Sequence, residues 1–152
     1  MIERANLGDA ATCSAILHQW IYEHPWFPNH APESASEQSM RERIAENTVF
    51  VAKTRGEIEG FLAFSNGYID SLYLAPEARN HGLGKELLAK AKAANPSGLS
   101  LWVLENNTAA MRFYQREGFV ETARGDGSDN EEGLPDIKME WTGKEVFDGQ
   151  PA

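Results

Sequence analysis

The sequence predicts an α+β domain with a mixed, mostly antiparallel central sheet of six to seven strands, flanked by about four helices. Two observations predict this class: short β-rich segments are joined by tight turns, and segments with helical periodicity and their own end signals lie between them. The length of 152 residues is enough for one hydrophobic core without metals or disulfides. We therefore expect a single domain over residues 1–142 and a loosely held C-terminal tail over residues 143–152.

The N-terminal part of the chain predicts a short strand followed by two helices. After the strand at residues 2–5, Asp9 stands where it can cap a helix that runs to about Tyr22. That helix carries one apolar stripe at helical spacing, formed by Cys13, Ile16, Leu17, Trp20 and Ile21. Three prolines break regular structure over residues 24–32, and a second, polar helix is expected over residues 33–46.

The rest of the chain predicts a three-stranded meander and then alternating helices and strands. The meander strands, at 48–53, 58–64 and 68–74, are separated by a turn at 55–57 and by Asn66-Gly67, a strong hairpin-turn signal. The later elements are a helix at 85–94, a strand at 99–104, a helix at 108–117, and a closing pair of strands at 119–124 and 136–141 around a polar loop at 125–135.

Composition and charge argue against several functional classes. The hydrophobic fraction of 41% and the charged fraction of 24% are those of an ordinary globular protein, and no apolar run approaches the roughly 20 residues that span a bilayer. The net charge of −9 argues against a nucleic-acid partner. An acidic surface suits cationic substrates such as amines, and it is equally common among proteins with other roles. The start of the chain lacks a signal-peptide pattern and the single cysteine, Cys13, cannot form an internal disulfide, so we expect a cytoplasmic protein with no membrane partner and no metal site.

The loop Arg79-Asn80-His81-Gly82-Leu83-Gly84 has the features of an anion site. A helix start exposes unpaired N–H groups and the positive end of the helix dipole, and glycines at 82 and 84 let a phosphate approach the backbone. Arg79 and Lys85 add positive charge. The pattern is not a Walker A loop, because Lys85-Glu86 follows Gly84, and it is not a dinucleotide fingerprint, because Leu87 takes the place of the third glycine. A plain strand-to-helix turn is the alternative.

Two motifs together resemble a known family. Arg79-x-x-Gly82-x-Gly84 resembles the Arg/Gln-x-x-Gly-x-Gly/Ala signature of the GNAT superfamily of acetyl-CoA-dependent N-acetyltransferases. Downstream, Asn107-x-x-Ala110-x-x-Phe113-Tyr114-x-x-x-Gly118-Phe119 resembles the second motif of that family, and residues 69–77 resemble its fourth strand. The resemblance is sharp over residues 67–120, and it implies acetyl-CoA as the donor.

The resemblance also implies a donor site and a general acid. The positions that match the family's cofactor-binding residues are Leu72, Tyr73, Leu74, Arg79, Asn80, His81, Gly82, Leu83, Gly84, Lys85, Asn107 and Tyr114. Main-chain groups of the fourth strand would pair with pantetheine and stabilise the oxyanion, and the Tyr114 hydroxyl would protonate the departing thiolate. Asn107 is equally well placed to cap the helix that starts at Thr108. Phe113 and Trp102 are expected in the core.

The base and the acceptor side are indicated less directly. Family members often carry an acidic residue where this chain has Ser71, and here Asp70 precedes that position. Because successive strand side chains face opposite ways, we expect only one of Asp70 and Ser71 to face the site, with Asp70 as the candidate base. His30, Glu131 and Glu132 are further candidates for the base. The candidates for acceptor binding are Trp26, Phe27, His30, Asp70, Glu131 and Glu132, against the alternatives of a proline-stiffened surface loop and a solvated acidic turn.

The resemblance implies transfer of an acetyl group from acetyl-CoA to a primary amine of a small molecule, by direct attack in a ternary complex. Two alternatives stay open: a protein or peptide N-acetyltransferase, and a non-catalytic acyl-CoA-binding module. Tyr114 and Asn107 favour catalysis over the binding module. Members of the family often dimerise, so a homodimer is also an expectation.

Overall fold

The structure is a computed structural model that describes residues 1–28 and 33–143. Its helices are α1 (Ala10–Glu23), α2 (Glu33–Glu46), α3 (Leu83–Ala94) and α4 (Thr108–Arg116). Its strands are β1 (Ile2–Arg4), β2 (Thr48–Thr54), β3 (Glu57–Ser65), β4 (Tyr68–Leu74), β5 (Leu99–Leu104), β6 (Val120–Gly125) and β7 (Asp136–Trp141). The predicted α+β class, with six to seven mostly antiparallel strands and about four helices, is confirmed.

The chain groups into two compact units, Met1–Ala91 and Lys92–Ala152. In the first unit, β1, β2, β3 and β4 pair in sequence order and all antiparallel, which confirms the predicted meander. The turn between β3 and β4 explains how these two strands pair. Asn66 and Gly67 have φ values of 51° and 77°, the left-handed pair that a tight hairpin turn needs to match the twist of its strands.

One face of the first unit's strands forms a core with α1 and α2. Val49, Val51, Phe61 and Ala63 alternate along β2 and β3 and are buried against the helices. The helices contribute Ala10, Cys13, Ile16, Met40 and Ile44. The apolar stripe predicted on α1 therefore lies where its spacing indicates, and it fixes the helix across the strands.

The start of α1 differs from the prediction. The Asp9 carboxylate makes no capping bond to the helix and instead accepts the backbone N–H of Asn6 at 2.9 Å. The cause is a 3-10 turn over Leu7–Asp9 ahead of α1, which gives Asp9 a helical backbone (φ −86°, ψ −6°) and points its side chain back toward Asn6. The predicted cap is therefore wrong, although the helix boundary is close.

In the described part of the second unit, the strands pair antiparallel in the order β5, β7, β6. Leu101 and Val103 are buried and alternate with Trp102, which is 41% exposed. The expectation that Trp102 belongs to the core is therefore wrong, because its strand position places it on the opposite face. The Lys92 ammonium donates to the Glu117 carbonyl at 2.6 Å and lies 5.1 Å from the centre of the Trp141 ring, which fixes the end of α4.

The C-terminal tail predicted at residues 143–152 is described only at Gly143. That glycine is buried, with φ 103°, and a Cβ there would lie 2.6 Å from the Pro96 carbonyl oxygen. Residues 144–152 lie outside the described part of the chain.

Within the described residues, every helix is too short or too polar to cross a membrane.

Candidate functional site

The glycine loop lies between β4 and α3 and has a left-handed backbone at two positions. Asn80 has φ 66° and Gly82 has φ 84°. Of these two residues, only the glycine adopts a left-handed conformation freely. The first helical bond runs from the Glu86 N–H to the Gly82 carbonyl at 3.0 Å. The N–H groups at the start of α3 therefore have no carbonyl one turn earlier in the helix to bind. N–H groups in this position at a helix start can bind an anion.

The surface above the loop is open. A Cβ at Gly82 would meet no heavy atom within 4 Å. Asn80, His81, Gly82 and Lys85 are exposed, Leu83 is half-buried, and Gly84 is buried in the first turn of α3. The buried glycine lets the helix start pack closely, while the exposed positions leave room for a phosphate and place one lysine cation beside it.

Arg79 directs its guanidinium into the protein. Its Nε and Nη2 donate to the Leu74 carbonyl at 3.3 Å and 3.1 Å, and Nη2 lies 2.9 Å from Oε1 of Glu23, the last residue of α1. Partial desolvation would raise the pKa of Glu23, but the hydrogen bonds from Arg79 and Gln19 and the charges of Arg79 and His24 together hold it below its ordinary value. The sequence predicted a cation for the phosphate and gave no sign of this internal partner.

Strand β4 contains a bulge at the candidate base. Ser71 pairs with Ala63 and Ile69 pairs with Phe64, so Asp70 is an extra residue in β4. The Ser71 hydroxyl donates to Oδ2 of Asp70 at 3.4 Å. The expectation that these two side chains face opposite ways is therefore wrong, because the bulge interrupts the alternation. Asp70 also forms an ion pair with Arg43 of α2, Nε to Oδ2 2.5 Å, with both side chains about one-third exposed or less (28% and 34%).

Five rings form an aromatic cluster in the first unit: Trp20, His24, Trp26, Phe27 and Tyr73. The Trp20 ring is at the centre, stacked on His24 at 4.2 Å and edge-on to Phe27 and Tyr73 at 5.4 Å and 5.2 Å. The cluster contains the predicted acceptor residues Trp26 and Phe27, which are half-buried, and it reaches β4 through Tyr73. His30 lies outside the described residues.

His24 is a member of this cluster that the sequence analysis missed. Its Nδ1 lies 2.6 Å from the Trp20 carbonyl oxygen, which favours the tautomer with the proton on Nδ1. The available signal was the spacing of Trp20 and His24, four residues apart at the end of a helix, where side chains lie on one face.

The second unit holds the remaining candidates. The Asn107 side-chain oxygen accepts the Ala110 N–H at 3.3 Å, so the capping alternative is observed. Tyr114 is 7% exposed and packs edge-on against Phe113 and Phe119, with ring centres 5.2 Å and 5.3 Å away. Phe113, expected in the core, is half-buried.

The acidic loop of the second unit is ordered by one asparagine. Asn130 accepts the Gly133 N–H at 2.7 Å and donates to the Leu134 carbonyl at 2.7 Å. Glu131 is exposed and Glu132 half-buried within this loop. This segment, for which a solvated acidic turn was the alternative to acceptor binding, therefore has a defined shape with carboxylates at its surface.

Comparison with known proteins gives the family. Residues 22–143 match the model of the acetyltransferase (GNAT) domain. The peptidyl-lysine N-acetyltransferase YjaB of Salmonella typhimurium is 33% identical over 129 residues, which are 84% of this chain and 88% of that protein. The apo form of YjaB from Escherichia coli superposes with a TM-score of 0.77 at 25% identity, covering 95% of this chain and 98% of the other. The yncA protein of Salmonella typhimurium, solved with its cofactor acetyl-CoA, has a TM-score of 0.73 at 19% identity and covers 100% of this chain and 98% of its own. This chain therefore belongs to the GNAT family of acetyltransferases.

Proposed function

We propose that this enzyme acetylates the primary amine of a lysine side chain in a peptide or protein, by direct attack on acetyl-CoA. The observation that carries the proposal is the open loop between β4 and α3, which holds Gly82 with φ 84°. The peptidyl-lysine activity in the names of the YjaB relatives supports a lysine acceptor. A small-molecule primary amine is the second candidate, supported by the aromatic cluster, which suits an alkylammonium with an apolar body.

The donor site proposed here is built from main-chain groups. The N–H groups of residues 80–85 would hold the pyrophosphate, with the Lys85 ammonium beside them. The backbone of Leu72, Tyr73 and Leu74 would pair with the pantetheine arm, and Asn107 would reach its amides. The open space over Gly82 and the unpaired start of α3 fit such a group, because both leave N–H donors accessible without a side chain in the way.

Acetyl-CoA, when bound, supplies a thioester carbonyl, and the chain's own residues handle protons and charge. The Asp70 carboxylate would take the proton of the attacking ammonium. A backbone N–H near Leu72–Leu74 would stabilise the negative charge that develops on the acetyl oxygen, which is worth on the order of 3 kcal/mol per donor. The Tyr114 hydroxyl would give its proton to the departing sulfur.

Direct attack is favoured over an acetyl-cysteine route. Cys13, the only cysteine of the chain, is buried in the core under α1. Burial, and to a smaller extent the nearby Asp9 charge, raises the pKa of its thiol to about 12. A thiol that stays protonated at neutral pH and has no access to solvent cannot serve as the nucleophile, so the amine itself attacks.

Replacing Gly82 with alanine tests the donor site. We expect the Kd for acetyl-CoA to rise about tenfold, because an alanine at this φ is strained by roughly 1–2 kcal/mol and the loop would turn its N–H groups away. Gly56→Ala is the matched control, since Gly56 has φ 82° and its Cβ would also meet nothing within 4 Å, but it lies in the β2–β3 turn. Calorimetry with acetyl-CoA should leave Gly56→Ala unchanged; equal affinities for the two variants would contradict the loop assignment.

A panel of amines tests the acceptor. We expect kcat/KM, measured by thiol release, to be at least about tenfold higher for lysine peptides than for short alkylamines, since only a peptide adds main-chain contacts beyond the ammonium. Turnover of small amines alone would replace the first candidate with the second. Tight binding of acetyl-CoA with no amine-dependent thiol release would leave only the acyl-CoA-binding module.

A further inference from the structure

We propose that Glu23 is a positioning residue, whose ion pair with Arg79 couples donor binding at the glycine loop to the aromatic cluster at the end of α1. This inference rests on the proposed function, because it assigns the aromatic cluster to the acceptor and the glycine loop to the donor. It gives the Arg79 side chain a role inside the protein, beside the phosphate-binding role of the main chain around it.

Two nitrogens on one edge of the Arg79 guanidinium, Nε and Nη2, bind acceptors within the protein. Nη2 serves both the Leu74 carbonyl at 3.1 Å and the Glu23 carboxylate at 2.9 Å, while Nε adds a second bond to Leu74 at 3.3 Å. A planar guanidinium with its donors in a fixed fork can join two acceptors only if both stay in place. The pair is 32% and 27% exposed, so it is partly shielded from water. Arg79 therefore fixes the distance between the end of β4 and the end of α1.

The position of Glu23 is unfavourable without such a partner. It is the last residue of α1, where the negative end of the helix dipole repels a carboxylate. Gln19, one turn earlier, contributes only a long hydrogen bond of 3.4 Å to Oε2. Arg79 is the ion-pair partner that compensates this charge, so the position of the Glu23 carboxylate depends on the position of the Arg79 guanidinium.

The aromatic cluster is attached to the same turn of α1. Trp20 lies one turn before Glu23, and His24 follows it directly and is held to the Trp20 carbonyl. Trp20 in turn contacts Tyr73, the residue before Leu74 on β4. The end of α1 is thus joined to β4 twice, by rings and by the ion pair. An anion that orders the loop after Arg79 will therefore also order the turn that carries Trp20 and His24.

Kinetics of Glu23→Gln, Arg79→Gln and the double variant test the coupling. We expect Glu23→Gln to raise the KM for the amine about three- to tenfold with kcat nearly unchanged, and to leave the Kd for acetyl-CoA alone within about twofold. The double variant should match Arg79→Gln, because that single variant already removes the ion pair with Glu23. Arg79→Lys, which keeps the charge and loses the fork, should rescue only part of the effect. Glu37→Gln, which removes an ion pair with Arg41 on the surface of α2, should change neither constant.

A different result would follow if Arg79 served only the phosphate. Glu23→Gln would then leave the KM for the amine unchanged and tighten acetyl-CoA binding, and the effects of the two single variants would add; either outcome overturns the proposal. Hydrogen exchange gives a readout without turnover: acetyl-CoA should slow exchange at residues 20–24 in the natural protein and not in Glu23→Gln. If no amine is acetylated, the proposed function fails, and this exchange difference still decides the coupling.

Discussion

Tyr114→Phe is expected to lower kcat about 10²–10⁴-fold at neutral pH while leaving the Kd for acetyl-CoA within about twofold. The side chain is 7% exposed and its ring is held by Phe113 and Phe119, so phenylalanine keeps the packing and removes only the hydroxyl. Without that proton, the sulfur must leave as a thiolate. The cost falls on the chemical step and not on binding, and steady-state kinetics with calorimetry would separate the two.

The control for this variant is Tyr22→Phe. Tyr22 is 83% exposed on α1, so the same loss of a hydroxyl there should change neither kcat nor the melting temperature. Thermal unfolding of Tyr114→Phe, measured beside that of the natural protein, shows whether a fall in kcat comes with a loss of stability. A kcat within about threefold of the natural value would show that the phenol is not the acid.

Asp70→Asn is expected to lower kcat/KM for the amine about 10²–10³-fold at pH 7, with a deficit that shrinks as the pH rises. An alkylamine with a pKa near 10.4 is about three units from neutral at pH 7, which opposes the reactive form by roughly 4 kcal/mol. The carboxylate would accept that proton within the site. As the pH approaches 10, the free amine is abundant and the carboxylate is no longer needed. A pH profile of kcat/KM from 7 to 10 measures the convergence.

Two companion variants separate catalysis from structure at this site. Glu57→Gln makes the same change from carboxylate to amide at an exposed position at the start of β3, and it should leave the profile unaltered. Arg43→Gln removes the cation paired with Asp70 and should keep activity, because it leaves the carboxylate that is proposed as the base in place. An Asp70→Asn deficit of equal size at pH 7 and pH 10 would assign the residue to structure alone.

Most of the fold could be predicted because its signals are local. Asn66-Gly67 fixes one hairpin, and the apolar spacing of Cys13, Ile16 and Trp20 fixes the buried face of α1. The glycine motif found the open loop because Gly82 is required by the backbone itself, with φ 84°. Such features depend on a few neighbouring residues, so the sequence alone contains them.

Apart from the Asp9 cap, which a local 3-10 turn displaces, the errors have a different cause, since they depend on contacts between separate helices and strands. The bulge at Asp70 is set by pairing with β3, and the internal partner of Arg79 comes from α1, 56 positions away by their numbers, 79 against 23. Trp102 was expected in the core on its residue type, whereas its face on β5 is decided by the register with β7. The backbone of the glycine loop could thus be predicted from the sequence, whereas the side-chain contacts around it could not.

The bulge in β4 also bears on how related chains should be compared. Because Ser71 and Asp70 lie close enough to share a hydrogen bond, an acidic side chain at either position can serve the same space. Two chains can then differ in an aligned column and still present one carboxylate to one substrate. Equivalence at this strand would then depend on position in space, and a comparison column by column would record such a displacement by one residue as a loss.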